Sequence, residues 1–160
     1  MFGAFLGAAD PPMVVVTAAA GVDHDGCLVG FHSQVSIDPE RYVVWISTAN
    51  HTYEVAALAE VLAVHVLGAG DHDMAELFGG VSADDVDKLA RCLWSPGPAG
   101  VPLLDGVTAL FVGRVVDVDV GMGDHVGFVL EPIDVRVVET GRSSLRYSDV
   151  ADMEAGNPVT

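Results

Sequence analysis

Apolar positions in this chain fall in short β-branched runs, with helical periodicity confined to the middle. Residues 12–20, PMVVVTAAA, form the first such run and read as a strand. Gly21–Gly26, containing Asp-His-Asp-Gly, reads as a turn. Cys27–Ser36 follows as a second strand, Asp38-Pro39 reverses the chain, and Arg41–Ser47, rich in Val, Trp and Ile, makes a third. The period then changes. Val55, Leu58, Ala59 and Leu62 stand at i, i+3, i+4 and i+7, one face of a helix. Ala63–Leu67 returns to strand, ended by the glycines of Gly68–Gly70.

Two short helices are predicted next. Met74, Leu77 and Phe78 share a face of the first, which stops at Gly79-Gly80. Ser82 with Asp85 resembles a capping pair opening the second, and Val86, Leu89, Ala90 and Leu93 form its apolar stripe. Ser95–Pro102 is a Pro/Gly-rich loop. Val107–Val120 reads as a long strand whose Val116, Val118 and Val120 alternate with Asp117 and Asp119, a half-buried pattern. Gly121–Gly123 turns into a strand at Val126–Leu130, with extended character again over Ile133–Glu139; Pro132 ends the strand or marks an edge. From Thr140 the chain becomes polar, so residues 1–140 are read as one domain and 141–160 as a poorly ordered or partner-wrapping tail. Strands at both ends with helices between them do not give βαβ alternation. They predict a mainly β fold with inserted helices, built as an antiparallel barrel.

Composition narrows the class. The chain has 160 residues, 51% hydrophobic with mean hydropathy +0.43, enough to bury one core without metal or disulfide support. Acidic side chains outnumber basic ones 23 to 7, for a formal charge of −16. Such a field repels polyanions, which argues against nucleic acid and against an anionic membrane surface. A halophilic host or a GC-rich genome would each account for the single lysine, Lys88. No apolar stretch reaches membrane-spanning length, and the apolar start lacks the Lys or Arg of a secretory leader. Cys27 and Cys92 read as reduced thiols, predicting an intracellular, cytoplasmic protein.

Two segments could carry chemistry. Ser47-Thr48-Ala49-Asn50-His51-Thr52 lies where a strand gives way to a helix. Its hydroxyls and amides suit an anion cradle, or simply an N-cap at Asn50 or Thr52. Gly121-Met-Gly123-Asp124-His125 is no dinucleotide fingerprint, because strands flank it on both sides. Asp23-His24-Asp25 and Asp71-His72-Asp73 read as solvated turns, and no metal site is expected. His65 reads as a satisfied core or rim histidine, and Trp45, Phe111 and Phe128 as core. No G-x-S-x-G elbow is present.

The run Gly26–Thr52, GCLVGFHSQVSIDPERYVVWISTANHT, together with Gly123-Asp124-His125, resembles the signature of the flavin reductase family over residues 11–135. The resemblance implies an FMN-binding split β-barrel. In that family the segment matching Ser47–Thr52 holds the FMN phosphate; here Ala49 and Asn50 stand for a pair of serines and Thr52 is retained, with Ser47 and His51 beside them. The stretch that lines the isoalloxazine ring matches Leu28, Val29, Gly30 and Phe31, without its usual hydroxyls, which leaves backbone and apolar contacts. His125 matches the histidine beside the flavin where nicotinamide docks, and Asp124 its orienter or a turn-former. The activity implied is hydride transfer from NADH or NADPH to FMN, with FAD possible, in a homodimer that supplies reduced flavin to a partner monooxygenase. A flavin-binding carrier or sensor without turnover is the alternative. A deazaflavin- or haem-using relative, or a cofactor-free acidic scaffold, ranks below both.

Overall fold

The computed structural model describes residues 1–80, 87–141 and 143–153. Nine strands are named: β1 (Val14–Ala20), β2 (Asp23–Val29), β3 (His32–Ser36), β4 (Arg41–Ser47), β5 (Val61–Val66), β6 (Trp94–Pro96), β7 (Pro102–Leu104), β8 (Ala109–Asp119) and β9 (His125–Val137). Four α-helices accompany them: α1 (Phe2–Ala9), α2 (His51–Ala56), α3 (His72–Gly79) and α4 (Tyr147–Val150). Seven strands make one antiparallel sheet in the order β2-β1-β5-β8-β9-β4-β3, and β6-β7 form a separate hairpin.

The sheet's two edge strands, β2 and β3, are consecutive in the chain, joined only by Gly30 and Phe31. In a flat seven-stranded sheet the edges would stand roughly 29 Å apart, six spacings of about 4.8 Å. The link can span no more than about 11 Å. The sheet therefore curls until its edges meet, which is the barrel the sequence predicts.

The barrel interior is largely apolar, apart from the buried Asp25 and Thr52. Val14, Val16 and Ala18 of β1 meet Val44 and Ile46 of β4, Leu62 and Val64 of β5, and Val126, Phe128 and Leu130 of β9, with Val55 and Ala56 of α2 packed against them. Val15, Ala63 and Val112 face the other way, into a second cluster with Ala75 and Phe78 of α3, Leu103 and Leu104 of β7, Leu145 and Val150. Because β1 is covered on both faces, its run is continuously apolar rather than alternating.

Several expectations are corrected. The helical spacing from Val55 to Leu62 is coincidence: α2 ends at Ala56, Leu58 is 80% exposed, and Leu62 lies inside the barrel on β5. Asp23-His24-Asp25 is strand, not turn, and Asp25 is buried. The Ser82–Asp85 pair and Val86 lie outside the described residues. Beyond them Lys88–Arg91 is one 3₁₀ turn with Leu89 buried and Leu93 exposed. β9 does not end at Pro132; the residue marks an edge, the other reading given for it, because β4 pairs only as far as Tyr42 opposite Leu130. Val116, Val118 and Val120 are exposed rather than half-buried. The supposed tail folds back: Leu145 is fully buried, donates its N–H to Leu67 and accepts from Met13, and α4 follows. The apolar start forms α1, none of whose residues is buried.

His65 is the satisfied core histidine expected. It is fully buried and accepts the Leu104 N–H at Nε2 (3.1 Å), so Nδ1 holds the proton given to the Val15 carbonyl (2.9 Å). Burial pushes its pKa down to about 4. The unfolded chain takes up this proton near pH 6.5, so the contribution is complete above that pH and lost as pH falls toward 4, by up to about 3 kcal/mol. Urea midpoints should fall between pH 7 and pH 4.5. In His65→Gln, whose amide can both donate and accept at this position, the fall should be shallower. A variant as steep as the wild type would clear His65 as the cause.

Candidate functional site

One register position assembles the site. β4 ends at Ser47 and β9 begins at His125, and the two residues are paired across the ladder. Thr48 seals the junction: its N–H and hydroxyl both donate to the Asp124 carbonyl, at 3.0 and 3.2 Å. The link between β2 and β3 reaches the same place, where the Trp45 N–H donates to the Phe31 carbonyl at 2.9 Å. The Phe31 ring then rests against His125, centroids 4.7 Å apart and tilted by 40°. Phe31, Trp45, Met122, Gly123, Asp124 and His125 line an open cavity of about 400 Å³.

Glycine makes two features of this cavity possible. Gly123, at φ 153°, takes a backbone conformation closed to side chains with a Cβ, and it sets the loop that delivers Asp124 and His125. Gly127 lies opposite Trp45, and a Cβ there would stand 2.7 Å from the indole. The indole therefore lies flat on bare backbone. Gly30, by contrast, has a packing reason for its lack of side chain: a Cβ would sit 3.2 Å from the Met13 sulfur.

His125 Nδ1 and Asp124 Oδ1 are 2.7 Å apart. The carboxylate can only accept, so Nδ1 carries the proton and Nε2 remains as the second functional atom of the ring. Asp124 thus fixes the tautomer of the ring.

The polar turn is largely self-satisfied. The Asn50 side-chain oxygen accepts the Thr52 N–H at 3.0 Å, making Asn50 the N-cap of α2. Ala49 N–H goes to the Ser47 hydroxyl oxygen at 3.2 Å, and Asn50 N–H to the Ser47 carbonyl at 3.0 Å. Among the described residues the His51 N–H, the Asn50 amide nitrogen and the Ser47 hydroxyl proton have no hydrogen-bond partner, which leaves them open to a ligand. The His51 ring lies 3.3 Å from Glu54. Thr52 is turned inward: it is fully buried and its hydroxyl donates to Asp25 at 2.9 Å.

Of the four residues expected along the ring, only the Phe31 side chain lines the cavity. Leu28 packs outward against Gly79, and Val29 is buried inside the barrel, which leaves these two their backbone. The sequence reading missed Trp45 and Met122, having placed Trp45 in the core. Strand alternation held the signal, since Trp45 stands two residues before Ser47 and shares its face. His72, Asp73 and Glu76 bring their ligand atoms within 4.8 Å of one another at the exposed start of α3, where a solvated turn was expected.

A flavin needs a flat apolar slot with a polar edge for its tail. A cavity walled by Phe31, Trp45, Met122 and His125, opening beside the donors of Ser47–His51, has that chemistry.

Comparison with known proteins agrees. The chain is 32% identical over 112 residues to an NADH-dependent FMN reductase, RutF, of Bradyrhizobium diazoefficiens, covering 69% of this chain and 61% of that protein. It is 31% identical over 117 residues to the reductase component of a flavin-dependent trigonelline monooxygenase of Acinetobacter baylyi, covering 71% of this chain and 36% of that one. Among solved structures, an FMN-binding protein from Thermus thermophilus superposes with a TM-score of 0.78 at 25% identity, over 86% of this chain and 81% of that one. A flavin reductase from Haemophilus somnus shares the fold, with a TM-score of 0.78 at 17% identity over 89% and 90% of the two chains. The chain spans about six-tenths of the length of the curated FMN reductases it matches. The family model for the flavin reductase like domain matches residues 7–153, and with the split-barrel topology and the Gly-Asp-His junction this makes the chain a member of that family.

Proposed function

We propose that the protein is an NAD(P)H-dependent flavin reductase that passes a hydride from a nicotinamide nucleotide to FMN, or to FAD, in the cavity beside His125. One observation carries the reading: the Ser47–His125 pairing joins the polar turn, the Phe31 link and the Gly-Asp-His loop around one aromatic-walled slot. Bound flavin supplies the hydride acceptor, while the protein supplies binding and alignment. Leu28, Val29 and Gly30 offer backbone, and Phe31 and Trp45 flank the flat ring. Ser47, Asn50 and His51 donate to the phosphate, with Ala49 and Thr52 shaping the turn. His125, oriented by Asp124, stands where nicotinamide docks. The names of the relatives fit this activity and the service of a partner monooxygenase.

The working unit in this reading is a homodimer. Exposed apolar residues at Val116 and Val118 on β8, Val120 just beyond it, and Ile133, Val135 and Val137 on β9 suit a second copy of the chain. Two unpaired cysteines, and the lack among the described residues of a helix able to cross a membrane, suit a cytoplasmic protein. A flavin carrier or sensor without turnover is the second reading, favoured by a cavity lined by no Lys or Arg among the described residues.

Anaerobic mixing of the flavin-loaded protein with NADH or NADPH separates the two. Bleaching of the flavin within seconds is expected, whereas flavin that binds and stays oxidised makes the protein a carrier.

His125→Ala should slow reduction roughly a hundredfold, the scale of a misplaced reacting pair, while FMN affinity changes little. Stopped-flow absorbance and a binding titration check this; a variant that loses affinity and keeps its rate would reverse the role.

Asn50→Asp retains the cap, because Asp serves there as well as Asn, but sets a carboxylate beside the phosphate. FMN should bind roughly tenfold more weakly and riboflavin about as before. Equal losses measured by fluorescence quenching would move the phosphate elsewhere.

A further inference from the structure

β2 is an edge strand, bonded to β1 alone, yet it carries the link on which Phe31 sits. A strand with one ladder partner needs further anchors if that link is to hold a fixed position. Two buried charged side chains attach to it at adjacent residues. Asp25 shares the inward face of β2 with Cys27 and Val29, and it is 4% exposed. Its carboxylate accepts the hydroxyl of fully buried Thr52 at 2.9 Å. Lys88, the chain's single lysine, is 1% exposed and donates to the Gly26 carbonyl at 3.1 Å and the Phe78 carbonyl at 3.3 Å. Both charges act on the thiol between them in the chain: Cys27, raised to about 12 chiefly by burial, is lowered by Lys88 and raised by Asp25.

A carboxylate in an apolar barrel is costly to desolvate, and a valine would fill the position with less strain on the core. What the carboxylate adds is direction. Its one hydrogen bond among the described residues crosses from β2 to Thr52, the residue whose N–H is held by the Asn50 cap. Strand, cap and turn are thereby coupled in two bonds.

We infer that Asp25 is a positioning residue which, through Thr52, locks the strand bearing Phe31 to the Ser47–Thr52 turn, while Lys88 ties the same strand to the end of α3, so that the two halves of the flavin site are held as one unit. The inference rests on the flavin reading above, and it concerns a pair of residues that touch neither ring nor phosphate. Asp25 acts through Thr52, so the consequence is a change in how well the turn is held for the flavin tail.

The test is a titration of the purified protein with FMN and with riboflavin, using Asp25→Ala, Asp25→Asn, Thr52→Val and the double variant Asp25→Ala/Thr52→Val. Asp25→Ala and Thr52→Val should each weaken FMN roughly tenfold, the scale of one hydrogen bond to a charged group, and riboflavin by much less. The double variant should be no worse than either single one, because both remove the same bond. Asp25→Asn keeps an acceptor for Thr52 and should restore FMN binding to within about threefold of the wild type. FMN affinity unchanged in Asp25→Ala and Thr52→Val would overturn the lock. So would equal losses for FMN and riboflavin that track a lowered melting temperature and are not rescued by Asn, for that is the signature of general destabilisation. Should Asp25→Ala fail to fold, Asp25→Asn with Thr52→Val decides the matter alone. A wild-type protein that binds no flavin removes the functional reading and the lock together, whereas flavin binding indifferent to these variants removes only the lock.

Discussion

The two-residue link between β2 and β3 is the constraint on which the rest of the molecule depends. It forces the edges of a seven-stranded sheet together, and it does so at the end of the barrel where β4 stops and β9 starts. Closure and site formation are one event. The Phe31 carbonyl takes the Trp45 N–H, and the Phe31 ring falls on His125, 94 positions further along the chain. A longer link would relax both, allowing the edges to part and the ring to leave the cavity wall. Gly30 permits the short path because Met13 packs where its side chain would be.

The field around this site bears on the phosphate binding proposed for it. The protein carries a formal charge of −16, and the cavity is lined by one carboxylate and no described cation. Arg41 and Arg114 are paired with Glu131, away from the site at the far end of β4 and the middle of β9. Long-range attraction therefore works against an anionic ligand, and binding has to come from short-range groups. Apolar and aromatic wall area supplies most of it, since Phe31, Trp45 and Met122 are large and partly exposed. The donors at Ser47, Asn50 and His51 add direction more than strength.

Much of this was legible in the chain, and the failures share a cause. Strands were readable where β-branched runs are continuous, as in β1, or bounded by Asp-Pro and Gly turns, as in β4 and β9, because local chemistry and tertiary environment agree there. The helix over Val55–Leu62 failed because four apolar residues matched a 3.6 period while belonging to two elements; Leu58 belongs to neither core. Asp25 and Leu145 failed for the opposite reason. Each lies in a polar stretch, and its burial is decided by distant residues, Thr52 in one case and Met13 with Leu67 in the other. The order and spacing of the Ser47–Thr52 turn and the Gly-Asp-His loop were readable, but their adjacency was not. That adjacency is a register fact, and register is set by pairing across the sheet.

The same logic explains why the site lies outside a solid barrel. Phe128, Leu130, Ile46 and Val44 fill the interior with almost no exposed area, so no ligand can enter it without unpacking the core. A cavity has to be built on the rim, from residues whose side chains point outward at strand ends. Trp45 is such a residue, and so is His125. On β4 the alternation that sends Val44 and Ile46 inward sends Trp45 and Ser47 to the other face. Gly127 then removes the one side chain that would keep the indole off the sheet. Core and cavity are thus two readings of a single period-two pattern. A one-residue slip of β4 against β9 would fill the barrel with a tryptophan and empty the site of its wall. The stability of the barrel and the presence of the cavity are enforced by the same register.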